Sequence, residues 1–127
     1  MNALRDAGFW FRFLAVLHGA VGLAVYPGPL VDLLRAGLWN SVDGSTPRQA
    51  AFWFLMFAPM LYLIGLLATQ ARARTGVYPR ALIGTVLAVC LIGTVLMPVS
   101  GFPLGLLVCV LARHHTDRRR SAGVRAP

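Results

Sequence analysis

The chain contains no lysine and no glutamate, so all twelve of its basic residues are arginine. Its acid is limited to four aspartates, none of which falls in the middle of an apolar run. A carboxylate-rich metal site at membrane depth is thereby excluded. Cysteine is nearly absent as well. Cys90 and Cys109 lie in separate apolar runs with no CxxC and no Cys/His metal spacing, so neither a disulfide framework nor a structural zinc site is supported and the expectation is two buried thiols. No cofactor or metal is indicated.

What is present in excess is apolar side chain: 57% of the 127 residues, at a mean hydropathy of +0.69. That is too apolar for an ordinary soluble domain. The formal charge of +8 comes from arginines that flank the apolar runs instead of lining one amphipathic face. Anionic lipid headgroups are the partner this pattern suits, and nucleic acid is not. The first run has a basic start, Arg5 and Arg12, but ends in Val25-Tyr26-Pro27-Gly28-Pro29 without a small-x-small cleavage site, so it reads as a retained span and not as a signal peptide.

The expected fold is an all-α membrane protein, a four-transmembrane-helix bundle forming a single domain over residues 1–115, with spans near 7–26, 47–71, 79–97 and 102–114. Helix 1 carries an aromatic belt, Phe9-Trp10-Phe11, at one end and Tyr26 at the other, with Arg12 close enough to the end to snorkel. Phe11, Ala15, His18, Gly22 and Val25 share one face, which should turn inward. Pro29–Asn40 reads as a short amphipathic helix lying on the membrane surface, with Leu30, Leu34 and Leu38 on one side and Trp39 at its end. Thr46-Pro47-Arg48-Gln49 reads as a capping box that opens helix 2, and Pro59 should kink that helix. Helix 3 contains LIGTVL twice, at Leu82–Leu87 and Leu91–Leu96, and Gly84 with Ala88 forms a small-residue face suited to close helix contact. The segment 116–127 is expected to be a basic tail, disordered in water or adsorbed on lipid.

Arginine asymmetry sets the expected orientation. With four spans, Arg5, Arg12, Arg72, Arg74, Arg80, Arg113, Arg118, Arg119, Arg120 and Arg125 fall on one side, and only Arg35 and Arg48 on the other. Both termini are then cytoplasmic, N-in and C-in.

Within that topology His18, Tyr62 and Cys90 lie at similar depth, where they could line a shared cavity. His18 either acts on a ligand, proton or substrate, or stays neutral and glues helices through Tyr62 or a backbone carbonyl. On the outer side Asp32, Asp43 and Arg48 could border a mouth beneath the surface helix. The competing readings there are a solvated Asp32–Arg35 pair and a turn-forming Asp43. His114-His115 do not share a helix face and make a poor metal site.

The His18-Gly19 and Gly22 of helix 1, the Ala51-Phe52-Trp53-Phe54-Leu55 opening of helix 2, and the Pro98–Phe102 turn resemble a family of small uncharacterised bacterial four-helix membrane proteins. The resemblance covers most of the chain and implies fold and location. The family carries no established activity to transfer. In size and layout the chain is also similar to DoxX-like proteins. It lacks the helix-1 glutamate on which small multidrug-resistance exporters depend and the CxxC of vitamin K epoxide reductase-like enzymes.

The expected function is a non-catalytic binding or accessory subunit of the bacterial cell membrane. One alternative is a membrane enzyme of isomerase or cyclase type on a lipophilic substrate, with His18 as acid or base and Tyr62 as hydrogen-bond donor. Another is a small dimeric transporter in which His18 carries the coupling proton. Lipids, a lipophilic small molecule, a second copy of the chain, or a larger membrane complex are the partners these readings admit.

Overall fold

Asp6 starts the first helix. Its extended backbone lies just outside the helix, and its carboxylate accepts from the Gly8 N–H, one of the donors that a helix start leaves without a partner. In this computed structural model, which describes residues 6–124 and the side chains of residues 6–114, five helices and no strands follow: α1 Ala7–Val25, α2 Pro27–Arg35, α3 Thr46–Thr75, α4 Arg80–Leu96 and α5 Phe102–Val124. Arg5 and Arg125 lie outside the described residues, as do the side chains of His115 and Arg118-Arg119-Arg120.

The helix boundaries have local causes, and two of them shift the sequence reading. Tyr26 closes α1 through its N–H to the Gly22 carbonyl, and Pro27, whose fixed φ suits a first helical turn, opens α2 at once. The short amphipathic helix therefore begins at Pro27 and ends at Arg35, not at Pro29 and Asn40. Gly37 takes the left-handed conformation at φ 85°, and Leu38 and Asn40 follow with positive φ, so Leu38 and Trp39 leave the helix. The start of α3 also moves by one residue. Ser45 is the cap and Thr46 the first helical residue, with no side-chain capping bond. Pro47 then occupies the second helical position, where it has no N–H to give a capping side chain. α3 continues through Pro59 without a break to Gly76, which caps it at φ 74° with Arg72 and Arg74 in the last turn, favourably placed against the helix dipole. The backbone of α5 stays helical to Val124, through the segment read as a tail.

The long helices form two antiparallel pairs, α1 with α3 and α4 with α5, which meet chiefly along α1 and α5. In the first pair glycines bring the backbones together. A Cβ on Gly65 would lie 2.7 Å from the Gly8 carbonyl oxygen, and one on Gly8 would lie 2.6 Å from the Gly65 carbonyl oxygen. Farther along, Gly22 leaves room for the side chains of Phe54 and Leu55. In the second pair Phe102 sits on Gly93 and Cys90 on Gly105. The inward face expected for α1 is largely observed: Phe11, Ala15 and Gly22 are buried, with Ala7 and Gly8 added, whereas Val25 is exposed. Gly84 and Ala88 are exposed, and nothing approaches Gly84 within 4 Å, so the small-residue face that packs in α4 is the one through Gly93.

α1 and α3 are each long and apolar enough to cross a membrane, and α4 and the Phe102–His114 part of α5 are shorter apolar helices.

Candidate functional site

Polar side chains gather in two places. The first is the end of the structure where α1 starts and α3 finishes. Asp6 and Tyr78 are both buried there, and Arg72 is mostly so. The Tyr78 hydroxyl accepts from the Ala7 N–H at 2.8 Å and from Arg72 at 2.7 Å, and donates to Asp6 Oδ1 at 2.7 Å. Asp6 Oδ2 accepts from the Thr69 hydroxyl at 3.2 Å, and Arg72 reaches Asp6 Oδ1 at 3.4 Å. The Arg72 guanidinium also lies 5.2 Å from the centre of the Tyr78 ring, close enough for a cation–π contact. Three chain segments are thus tied at one point: the start of α1, the last turns of α3, and the α3–α4 turn.

The electrostatics follow from the geometry. Burial opposes ionisation of Asp6, but the hydrogen bonds from Tyr78, the Gly8 N–H and Thr69, with the charge of Arg72, outweigh it and hold the carboxyl below its ordinary 3.8. Burial and the hydrogen bond to Asp6 push the Tyr78 phenol above its ordinary 10.0. At neutral pH the group is a carboxylate, a neutral phenol and a guanidinium, each with partners. Such a cluster fixes geometry. It was legible only at one point in the sequence, since an aspartate directly before an apolar helical run is a cap signal. Tyr78, in a turn some seventy residues away, gave none.

The second place is the middle of the α1–α3 contact. His18 Nε2 lies 2.9 Å from the Phe54 carbonyl oxygen, and its ring is stacked on Phe54 with centroids 4.1 Å apart and edge-on to Phe57 at 5.4 Å. A carbonyl only accepts, so Nε2 carries the proton. Pro59, which has no N–H, leaves the Leu55 carbonyl, next along α3, without its usual helical donor four residues on.

The residues singled out from the sequence are otherwise dispersed. Tyr62 is 43% exposed and makes no hydrogen bond to any described residue, His18 included. Cys90 is buried against α5. Asp43 is exposed and Arg48 half-buried, and neither side chain bonds to another described residue. Asp32 and Arg35 form an exposed pair at 3.8 Å, of the kind that contributes little. Arg12 turns back along α1, donating from Nε to the Gly8 carbonyl at 3.2 Å, toward the polar cluster.

A family model described as a family of unknown function, DUF6463, matches residues 2–119. The chain belongs to that family. The match covers nearly the whole chain and both polar centres, so they belong to one family unit. No curated protein and no solved structure matches the chain.

Proposed function

We propose that this is a small multi-pass protein of the bacterial cytoplasmic membrane, with four spans and both termini cytoplasmic, that serves as a non-catalytic binding or accessory subunit. The observation that carries the membrane reading is where the apolar surface points. Only 22% of the apolar stretch of α1 and 11% of that of α3 is buried inside the fold. A core helix of a soluble protein would be mostly buried. α4 and α5 behave alike: Ile92 is 62% exposed and Val95 81%, and Leu104, Leu107 and Val110 are exposed on α5. Leaving such side chains in water is unfavourable at about 25 cal/mol per Å², which supports spans for α4 and α5 as well as for the two longer helices. Arg72, Arg74 and Arg80 cluster at the end of the structure that holds Asp6, as a cytoplasmic face contacting anionic headgroups requires.

The non-catalytic reading is supported by His18. Its Nε2 proton is engaged by a backbone carbonyl between two aromatic rings, and Tyr62, the partner a proton-transfer mechanism would use, is turned outward. His18 joins α1 to α3. The test is mass spectrometry of lipophilic molecules that co-purify in native nanodiscs, wild type beside His18→Ala. The accessory reading expects no molecule specific to the wild type and a less stable variant. A specific molecule lost in the variant would overturn it in favour of the enzyme or transporter.

A further inference from the structure

Cys90 and Cys109 are nineteen residues apart in sequence, yet the antiparallel α4–α5 pair brings them together. Cys90 Sγ lies over Gly105, 2.7 Å from the point where a Cβ would stand, and the Cβ of Cys90 is 4.0 Å from the same point. Gly105 is one helical turn from Cys109 on the same face of α5. Both thiols lie in one buried cluster between the two helices. Among the described residues no third His, Cys, Asp or Glu joins them, so the arrangement is a dithiol and not a tetrahedral metal set.

We propose that Cys90 and Cys109 form a reversible intramolecular disulfide that locks α4 onto α5, with hydrogen peroxide, a small neutral oxidant that enters bilayers, as the co-reactant. Cys90 is 7% exposed and Cys109 0%, so an oxidant reaches Cys90 first. The Cys90 sulfur attacks one peroxide oxygen, the O–O bond breaks, and Cys90 becomes a sulfenic acid as one water leaves with the thiol proton. The Cys109 sulfur then attacks the Cys90 sulfur, the S–O bond breaks, and the Cys109 proton leaves with the hydroxyl as a second water. Two thiols and one peroxide thus give one disulfide and two waters. A dithiol reductant reverses the step. The lock has a structural consequence because, among the described residues, the extensive helix contact of α4 is with α5, so this bond fastens α4 to its main packing partner.

The test uses the full chain in nanodiscs. After peroxide treatment the protein is unfolded in SDS, alkylated with N-ethylmaleimide and weighed intact. The reduced protein should carry two adducts. The oxidised protein should carry none, weigh two hydrogens less, run as a monomer, and recover both adducts after reduction. Oxidation should be at least about tenfold faster in the folded than in the SDS-unfolded protein, because the fold supplies the proximity. In Cys109→Ser, oxidation should stop at a sulfenic acid that dimedone traps on Cys90. The wild-type rate comparison stands alone if that variant does not fold. Two adducts after peroxide, disulfide-linked dimers, or equal rates in folded and unfolded protein would each overturn the proposal.

Discussion

Replacing Tyr78 by phenylalanine removes one oxygen and keeps the ring, and with it the Arg72 contact 5.2 Å from the ring centre. Three hydrogen bonds of 2.7–2.8 Å disappear, to the Ala7 N–H, to Arg72 and to Asp6. The Ala7 N–H is left buried without an acceptor, at a cost of about 1–3 kcal/mol, and each lost bond to a charged group is worth about 1.5–3 kcal/mol. The losses overlap, since Asp6 and Arg72 still face each other at 3.4 Å, so the net destabilisation should be about 2–4 kcal/mol. The assay is equilibrium unfolding in mixed SDS–detergent micelles, with Tyr62→Phe as the control. Tyr62 is 43% exposed and bonds to no described residue, so its hydroxyl should count for less than about 0.5 kcal/mol. A Tyr78→Phe protein within about 0.5 kcal/mol of wild type would refute the view that this cluster ties α1, α3 and the α3–α4 turn together.

Two further predictions concern the same helix contacts. The Asp6 carboxyl is held below its ordinary 3.8 in the folded protein, so its contribution to stability is complete above that value and is lost as pH falls through the lower folded value. Stability in detergent should therefore drop below about pH 4, and Asp6→Asn should flatten that acid limb while lowering the neutral plateau; an unchanged acid limb would contradict the assignment. A Cβ at Gly65 meets the Gly8 carbonyl oxygen at 2.7 Å, whereas nothing lies within 4 Å of Gly84. Gly65→Ala should cost about 1–3 kcal/mol, and Gly84→Ala should be neutral or stabilising by up to about 1 kcal/mol, as read by thermal unfolding in detergent. The reverse order would mean that the α1–α3 approach is misplaced.

The all-helical class and the start of each long helix were legible in the sequence because they rest on apolar run length and on proline and glycine punctuation, whereas the end of α5 was not, since its apolar run stops near His114 and the backbone stays helical to Val124. The inward face of α1 was legible for the same reason, since Phe11, Ala15 and Gly22 repeat at helical spacing. The face of α4 was not. Its two LIGTVL copies are nine residues apart, which is half a turn out of phase, so their glycines point to opposite sides. One copy presents Gly84 outward and the other buries Gly93 beneath Phe102. Hydropathy cannot choose between them when both sides are apolar. His18 against a backbone carbonyl was one of the two ways in which it could act as glue, and the structure shows Phe54 as the carbonyl. Apart from the Asp6 cap signal, the Asp6–Arg72–Tyr78 cluster and the approach of Cys90 to the Gly105–Cys109 face of α5 were illegible for a common reason. Each joins residues distant in the chain, and their meeting depends on how the helix pairs dock and not on any local pattern.

The most direct test of the four-span, N-in reading is labelling of single cysteines introduced at Ser45, Thr75 or Ser121, with Cys90 and Cys109 replaced by alanine, using an impermeant maleimide on intact cells. Ser45 lies just before α3 and Thr75 is its last residue. The account predicts that the probe at Ser45 is labelled from outside while those at Thr75 and Ser121 react only after the cells are opened. Labelling of Thr75 or Ser121 from outside, with Ser45 protected, would contradict it.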